Sequence, residues 1–291
     1  MDKARTELYD QGYTIIPNIM TTEEHQAVID SFISDLTAVN SALDVSTVAD
    51  LMALHPNVDY PCSNTRNNTG IIASNGLPQG EAAWLVRSNN QIMECFKELL
   101  DTEEIVCSMD IISFSSDHVD ADDGRCPLHV DQTPGGPGHE FLSLQGIYYA
   151  TATISGGATT MVVPGSHKQW SQLNLETKRS FSRIHNQLHG EAIQLVIPEN
   201  SLLIFNSKLI HRGYSGPHRL CFMVSYGRKK DRPVAARMNK MCIYNRGKNT
   251  THWSQLGIES GCGTGADSTT SCWNTIRPSP LADHPERDDL L

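Results

Sequence analysis

The sequence predicts a mainly β protein with flanking helices, of sandwich or jelly-roll type. Six short strand-like runs, 104–114, 141–152, 158–163, 192–197, 201–206 and 219–226, follow one another, separated by Gly, Pro, Asp and Asn turns. Helical patterns gather before residue 101 instead, so the chain lacks the strand–helix alternation of a parallel α/β sheet.

Residues 2–11 read as a short helix stopped by Gly12, and Tyr13-Thr14-Ile15-Ile16 as a strand. Thr21 and Glu24 match a capping box, in which each side chain satisfies the other's backbone N–H. It opens a helix near 22–38 with Val28, Ile29, Phe32, Ile33 and Leu36 spaced for one buried face. Residues 50–80 are irregular and carry several Pro and Gly. A second helix, about 89–100, presents Ile92, Met93, Phe96, Leu99 and Leu100. The organisation expected is one domain over 1–253, with N-terminal helices in 1–100 and the β core in 101–230. Residues 254–291, rich in Gly, Ser, Thr, Pro and Asp, read as a loose, loop-rich extension.

The 291 residues are 39% hydrophobic and 19% charged, an ordinary globular balance. A net charge of −10 argues against a nucleic-acid partner, which favours a basic face. No apolar run reaches the ~18 residues of a membrane span, and the N-terminus shows no signal-peptide core, so a cytoplasmic protein is expected. The eight cysteines form no Cys-x-x-Cys pair, so spacing offers no zinc ribbon or redox motif. Cys262 and Cys272 could pair under oxidising conditions. The sequence sets no expectation for oligomeric state.

His129-Val130-Asp131 places an imidazole and a carboxylate on one face of a strand, because alternate residues point the same way. A second histidine must come from elsewhere to complete a metal site. Ser201-Leu202-Leu203-Ile204-Phe205 is a buried-strand pattern that leads to His211, well placed at the mouth of a barrel. Two histidines and one carboxylate on one side of a metal leave its other positions open, the geometry of non-haem Fe(II) oxygenases. Arg219 opens a further apolar strand, where a buried guanidinium needs an anion and a carboxylate engaged bidentately is its natural match. By alternation along 141–152, Gln145, Ile147 and Tyr149 share one face.

These residues together resemble the phytanoyl-CoA dioxygenase-like branch of the Fe(II)/2-oxoglutarate oxygenases, over roughly 10–226 and most strongly over 126–226. Val162-Val163-Pro164-Gly165-Ser166-His167-Lys168 is similar to the branch's Pro-Gly-Ser-His turn, and Ser201 to His211 to the strand that delivers the distal histidine. Pro198-Glu199-Asn200 departs from the usual Pro-Gly-Asp turn. The resemblance implies a double-stranded β-helix (a cupin-like jelly roll) with Fe(II) on His129, Asp131 and His211. It implies 2-oxoglutarate as cosubstrate, with Arg219 gripping its far carboxylate, Thr160 adding a hydrogen bond and Gln145 facing the same pocket. O2 is consumed, and succinate and CO2 are released. Halogenating relatives lack the carboxylate ligand. Asp131 therefore implies oxygenation, with hydroxylation as the default. His167 is structural in relatives and is expected to be so here.

Substrate contacts are expected in 62–76, with Arg66 and Asn68, in 115–127 and in 228–254, with Trp253, and from Ile147 on the strand face. The expected substrate is a small organic molecule such as a secondary metabolite. Two other readings keep the same residues: a divalent-metal hydrolase or isomerase, which gives Arg219 no obvious task, and a non-catalytic jelly-roll binding module.

Overall fold

The strand-like runs fold into two antiparallel sheets that face each other across a cavity, with helices laid on the outer side of one of them. The computed structural model describes residues 1–62, 70–121, 126–132, 141–173, 175–177, 182–184, 190–250 and 273–291. The helices are α1 (Asp2–Asp10), α2 (Thr22–Val39), α3 (Val48–Met52), α4 (Glu81–Arg87), α5 (Asn90–Leu100), α6 (Val234–Asn245) and α7 (Pro285–Leu290). The strands are β1 (Tyr13–Pro17), β2 (Ile71–Ile72), β3 (Ile105–Cys107), β4 (Ile112–Ser115), β5 (His129–Val130), β6 (Leu144–Tyr149) and β7 (Thr159–Val162). They continue with β8 (Leu175–Thr177), β9 (Ser182–Ile184), β10 (Ile193–Gln194), β11 (Ser201–Asn206), β12 (His211–Tyr214), β13 (Arg219–Met223) and β14 (Tyr226–Arg228).

The major sheet runs β1-β11-β6-β13-β4-β2, with β14 joining β6 to β3. The minor sheet runs β10-β7-β12-β5-β9-β8. Alternation along the major strands separates two functions. On β4, Ile112 and Phe114 face the helices, while Ser113 belongs to the cavity side. On β6, Leu144 and Tyr148 face outward, and Gln145, Ile147 and Tyr149 face inward. On β13, Leu220 and Phe222 face outward, and Arg219, Cys221 and Met223 inward. Both faces are buried, which explains the near-continuous apolar character of these runs.

The outer face packs against α2 and α5. Phe32 of α2 meets Phe114 and Phe222 edge-on, with ring centroids 5.5 and 5.9 Å away. Phe96 of α5 lies directly over Gly146, where an added Cβ would stand 2.9 Å from the ring. The capping box expected at Thr21 is present in full, and α2 runs from Thr22 to Val39. Such a cap is worth about 1 kcal/mol.

Several elements were not read from the sequence: α3 at the start of the irregular stretch, α4 just after it, β12, and α6. The segment read as a loose extension differs over its described part, because 273–291 packs onto the helical layer. Arg287 is 3% exposed, pairs with Glu81 at 2.7 Å and lies over the Trp84 ring. Leu290 and Leu291 join the main core, and Arg232 donates to the Leu291 carbonyl at 2.6 Å. Cys262 and Cys272 lie outside the described residues. The six described cysteines are free thiols. No described helix is long and apolar enough to cross a membrane.

Candidate metal centre

The minor sheet assembles the ligands. β12 pairs with β5 in a register that sets His211 directly opposite His129. Residues directly opposite on antiparallel strands bring their side chains close on one face, and here the two imidazole centroids are 4.5 Å apart. Asp131 follows one residue beyond β5 and stays on the same side. Its backbone N–H and that of Gln132 both donate to the Ser207 carbonyl, at 3.2 and 3.1 Å, which holds this turn against the end of β11. His211 Nε2 lies 3.1 Å from Asp131 Oδ2, and His129 Nε2 lies 3.6 Å from Oδ1. Among the described residues these three form the group able to share a metal ion, with one ligand atom from each lying within 4.8 Å of the others.

The hydrogen bonds orient the rings. His129 Nδ1 donates to the Pro127 carbonyl at 2.8 Å, and His211 Nδ1 to the Leu209 carbonyl at 2.9 Å. A carbonyl only accepts, so both Nδ1 atoms donate, and Nε2 is the ring atom that each histidine turns to the space beside Asp131. Gln145 holds the carboxylate, its amide donating to Asp131 Oδ2 at 2.7 Å and to Ser207 Oγ at 3.2 Å. Ser207 Oγ in turn donates to Ser143 Oγ at 2.8 Å.

A cavity of about 230 Å³ opens from the ligands between the sheets. Arg219, 7% exposed, stands at one end and donates to the Thr159 carbonyl at 3.5 Å. Beside it, Thr160 Oγ1 and the Tyr149 hydroxyl are 2.8 Å apart. Burial pushes the Tyr149 hydroxyl up to about 12 despite the nearby Arg219 charge, so it stays neutral and able to donate at neutral pH. Phe205 stacks at an angle on His211, with centroids 4.7 Å apart, and closes one wall with Ile147 and Met223.

The structure therefore brings His129, Asp131, His211, Arg219, Thr160, Gln145 and Ile147 to one cavity. Gln145, expected beside the cosubstrate, makes its described side-chain contacts with the Asp131 carboxylate and the Ser207 hydroxyl. Arg66, Asn68 and Trp253 lie outside the described residues. His167 is remote from the ligands. It bonds the Tyr9 carbonyl through Nε2 at 3.1 Å and packs against Gly12. Sequence reasoning passed over Asp110, Ser113 and Ser225, which also line the cavity, as does Cys126 from the 115–127 segment expected to contact substrate. The Ile-Ser-Phe-Ser alternation of β4 carried the signal for Ser113, whereas an isolated Asp between two strands carries none.

No family model matches the sequence, and a search of curated proteins returns no match. Solved structures do resemble the fold. The epimerase SnoN, in complex with Fe3+, alpha ketoglutarate and nogalamycin RO, superposes with a TM-score of 0.53 at 10% identity, covering 78% of this chain and 83% of that one. EctD from S. alaskensis, with 2-oxoglutarate and 5-hydroxyectoine, gives 0.52 at 15% identity, over 80% and 77%. The non-heme monooxygenase ThoJ in its apo form gives 0.51 at 15% identity, over 77% of each chain. At these identities the likeness is one of fold: the two facing antiparallel sheets and their helical cover are an architecture this chain has in common with those three enzymes.

Proposed function

We propose that this chain is an Fe(II)- and 2-oxoglutarate-dependent oxygenase of the phytanoyl-CoA dioxygenase-like kind, built on a double-stranded β-helix and acting on a small organic molecule. One observation carries the reading: His129, Asp131 and His211 converge on one point of a cavity whose far end holds the buried guanidinium of Arg219. Two imidazoles and a carboxylate suit iron(II), and their Nδ1 hydrogen bonds leave Nε2 of each ring to face it. The fold shared with SnoN and EctD, whose structures hold alpha ketoglutarate or 2-oxoglutarate, supports the same reading.

When bound, iron(II) with 2-oxoglutarate and O2 supplies an oxidant able to act on a C–H bond, with succinate and CO2 as products. The residues of the chain supply position and surroundings. His129, Asp131 and His211 would hold the metal on one side and leave the other for reactants. Gln145 keeps Asp131 aimed. Arg219 would pair with the far carboxylate of 2-oxoglutarate, with the Thr160 and Tyr149 hydroxyls beside it. Phe205, Ile147 and Met223 give this space apolar walls that exclude water. Hydroxylation is the reaction we assign, since Asp131 fills the carboxylate position.

The test is an anaerobic titration. Fe(II) followed by 2-oxoglutarate should produce the weak visible charge-transfer band of the chelate, and air should then release succinate. Neither band nor succinate would remove the oxygenase reading.

A further inference from the structure

The strand that carries His211 also marks the path from the metal ligands to Arg219. His211 and Gly213 of β12, and Ser215 just beyond it, share one face by alternation, and all three line the cavity. Gly213 stands directly opposite Thr160 of β7. The Thr160 hydroxyl is 2.8 Å from that of Tyr149, and Arg219 donates to the carbonyl of the preceding Thr159. Two residues of strand rise about 6.6 Å, so a cosubstrate held at the His211 end and at Arg219 passes over Gly213.

Glycine has neither a conformational nor a packing reason to be there. The φ of Gly213 lies outside the left-handed region, and its register with β7 runs unbroken from His211 to Tyr214, so no turn or bulge calls for it. At Gly146 the Phe96 ring fills the place of a side chain, whereas a Cβ added at Gly213 would meet no described atom within 4 Å. The residue is exposed, so this space continues outward. Glycine inside a strand weakens it, and often marks a place where a ligand comes close to the backbone.

We propose that Gly213 sets the cosubstrate specificity, and that the open space over it admits a 2-oxo diacid one methylene longer than 2-oxoglutarate. A diacid fixed at both ends takes up an extra methylene by bowing out of line, and the bow needs room along its path. A side chain at this position would fill that room, and one methylene too many in a filled pocket is discriminated by about 10–200-fold. Gly213 leaves the room open. Ser215, 5% exposed and about 13 Å along the chain from His211, lines the cavity past the level of Thr160, so the space does not end where 2-oxoglutarate would.

The proposal rests on the oxygenase reading, which supplies the two fixed ends, and the experiment separates the two. The full chain is loaded with Fe(II) under anaerobic conditions and titrated with 2-oxoglutarate or with 2-oxoadipate, each followed through the chelate band. The dissociation constant for 2-oxoadipate should lie within about fivefold of that for 2-oxoglutarate, and a wider gap overturns the proposal. Gly213→Val fills the space, and the ratio of the two constants should then rise at least about tenfold in favour of 2-oxoglutarate. Gly213→Ala adds only a Cβ and should raise the ratio about threefold. Where thermal midpoint or Fe(II) affinity shows that Gly213→Val does not fold, Gly213→Ala decides. A ratio that the variants leave unmoved overturns the proposal as well. A band with 2-oxoglutarate and none with 2-oxoadipate removes the specificity alone. No band with either acid removes the oxygenase reading, and the specificity with it.

Discussion

Replacing Arg219 by Ala tests the division of labour in the cavity. Arg219 is 7% exposed and shares its end of the cavity with the Thr160 and Tyr149 hydroxyls. Its guanidinium can offer a carboxylate two parallel N–H donors, and a hydrogen bond to a charged group contributes about 1.5–3 kcal/mol. Allowing for water that enters the vacated space, a loss of about 3–4 kcal/mol follows, a rise of roughly 10²–10³-fold in the dissociation constant for 2-oxoglutarate. Iron affinity should change less than about threefold, since the groups that orient the ligands are the Pro127 and Leu209 carbonyls and Gln145. Arg219→Lys, with a point charge in place of a planar fork, should fall between the two. The assay is an anaerobic titration of Fe(II) against a competing chelator, then of 2-oxoglutarate on the iron-loaded protein through the charge-transfer band. Parallel loss of both affinities would mean that Arg219 holds the fold and not the cosubstrate.

Three further outcomes are expected. Gln145→Leu removes the donor to Asp131 Oδ2 and should weaken iron binding about 10–100-fold in the same chelator competition, whereas an unchanged affinity would mean that Gln145 does not orient the carboxylate. Gly146→Ala drives a methyl into the Val224 carbonyl and the Phe96 ring and should lower stability by about 1–3 kcal/mol, read as a drop in thermal midpoint, and a neutral result would show that α5 can move. Asp35 is buried at the start of α4, and burial raises its carboxyl from 3.8 to about 6 despite the N–H groups of Ala82 and Glu81 that it accepts. A raised carboxyl contributes stability at acid pH that is lost as pH rises through its folded value. The stability of the native chain relative to Asp35→Asn should therefore fall by about 2–3 kcal/mol between pH 4 and 7, measured by urea unfolding, and a flat difference would refute the shift.

What the sequence made legible is what periodicity encodes. The apolar stripe and capping box of α2, and the run of β11 that ends near His211, are local patterns, and both appear where expected. The candidate ligands were legible only together with their surroundings, because His129-x-Asp131 alone is a common pattern and the buried strand before His211, with Arg219 eight residues beyond it, singled it out. Their mutual register was not, since β12 reads His-Arg-Gly-Tyr and is held by its neighbours β7 and β5, not by any pattern of its own. α6 was hidden for a related reason. It starts after Pro233, exposes Val234 and Met238, and buries Lys240, whose Nζ donates to the Cys107 carbonyl. Burial forces that ammonium well below its usual range. The helix buries Ala236, Ile243 and Tyr244, but Lys240 lies in the middle of that face while Val234 and Met238 are exposed, which blurs the apolar pattern. Residues 273–291 escaped similarly, because Arg287 anchors them by charge and by stacking on Trp84 as much as by apolar area.

The facing of His129 and His211 across two strands has a thermodynamic consequence. Side chains in a sheet alternate, so a slip of one residue between β5 and β12 would turn one imidazole to the opposite face and dismantle the site. A metal ion that binds only the correct pairing selects it from every slipped alternative, and its binding free energy becomes folding free energy for the minor sheet. At a free metal concentration one hundred times the dissociation constant this linkage is worth about 2.7 kcal/mol. Hydrogen exchange along β5, β7 and β12 should accordingly slow when metal is added, and the major sheet, held by its own helices, should change far less.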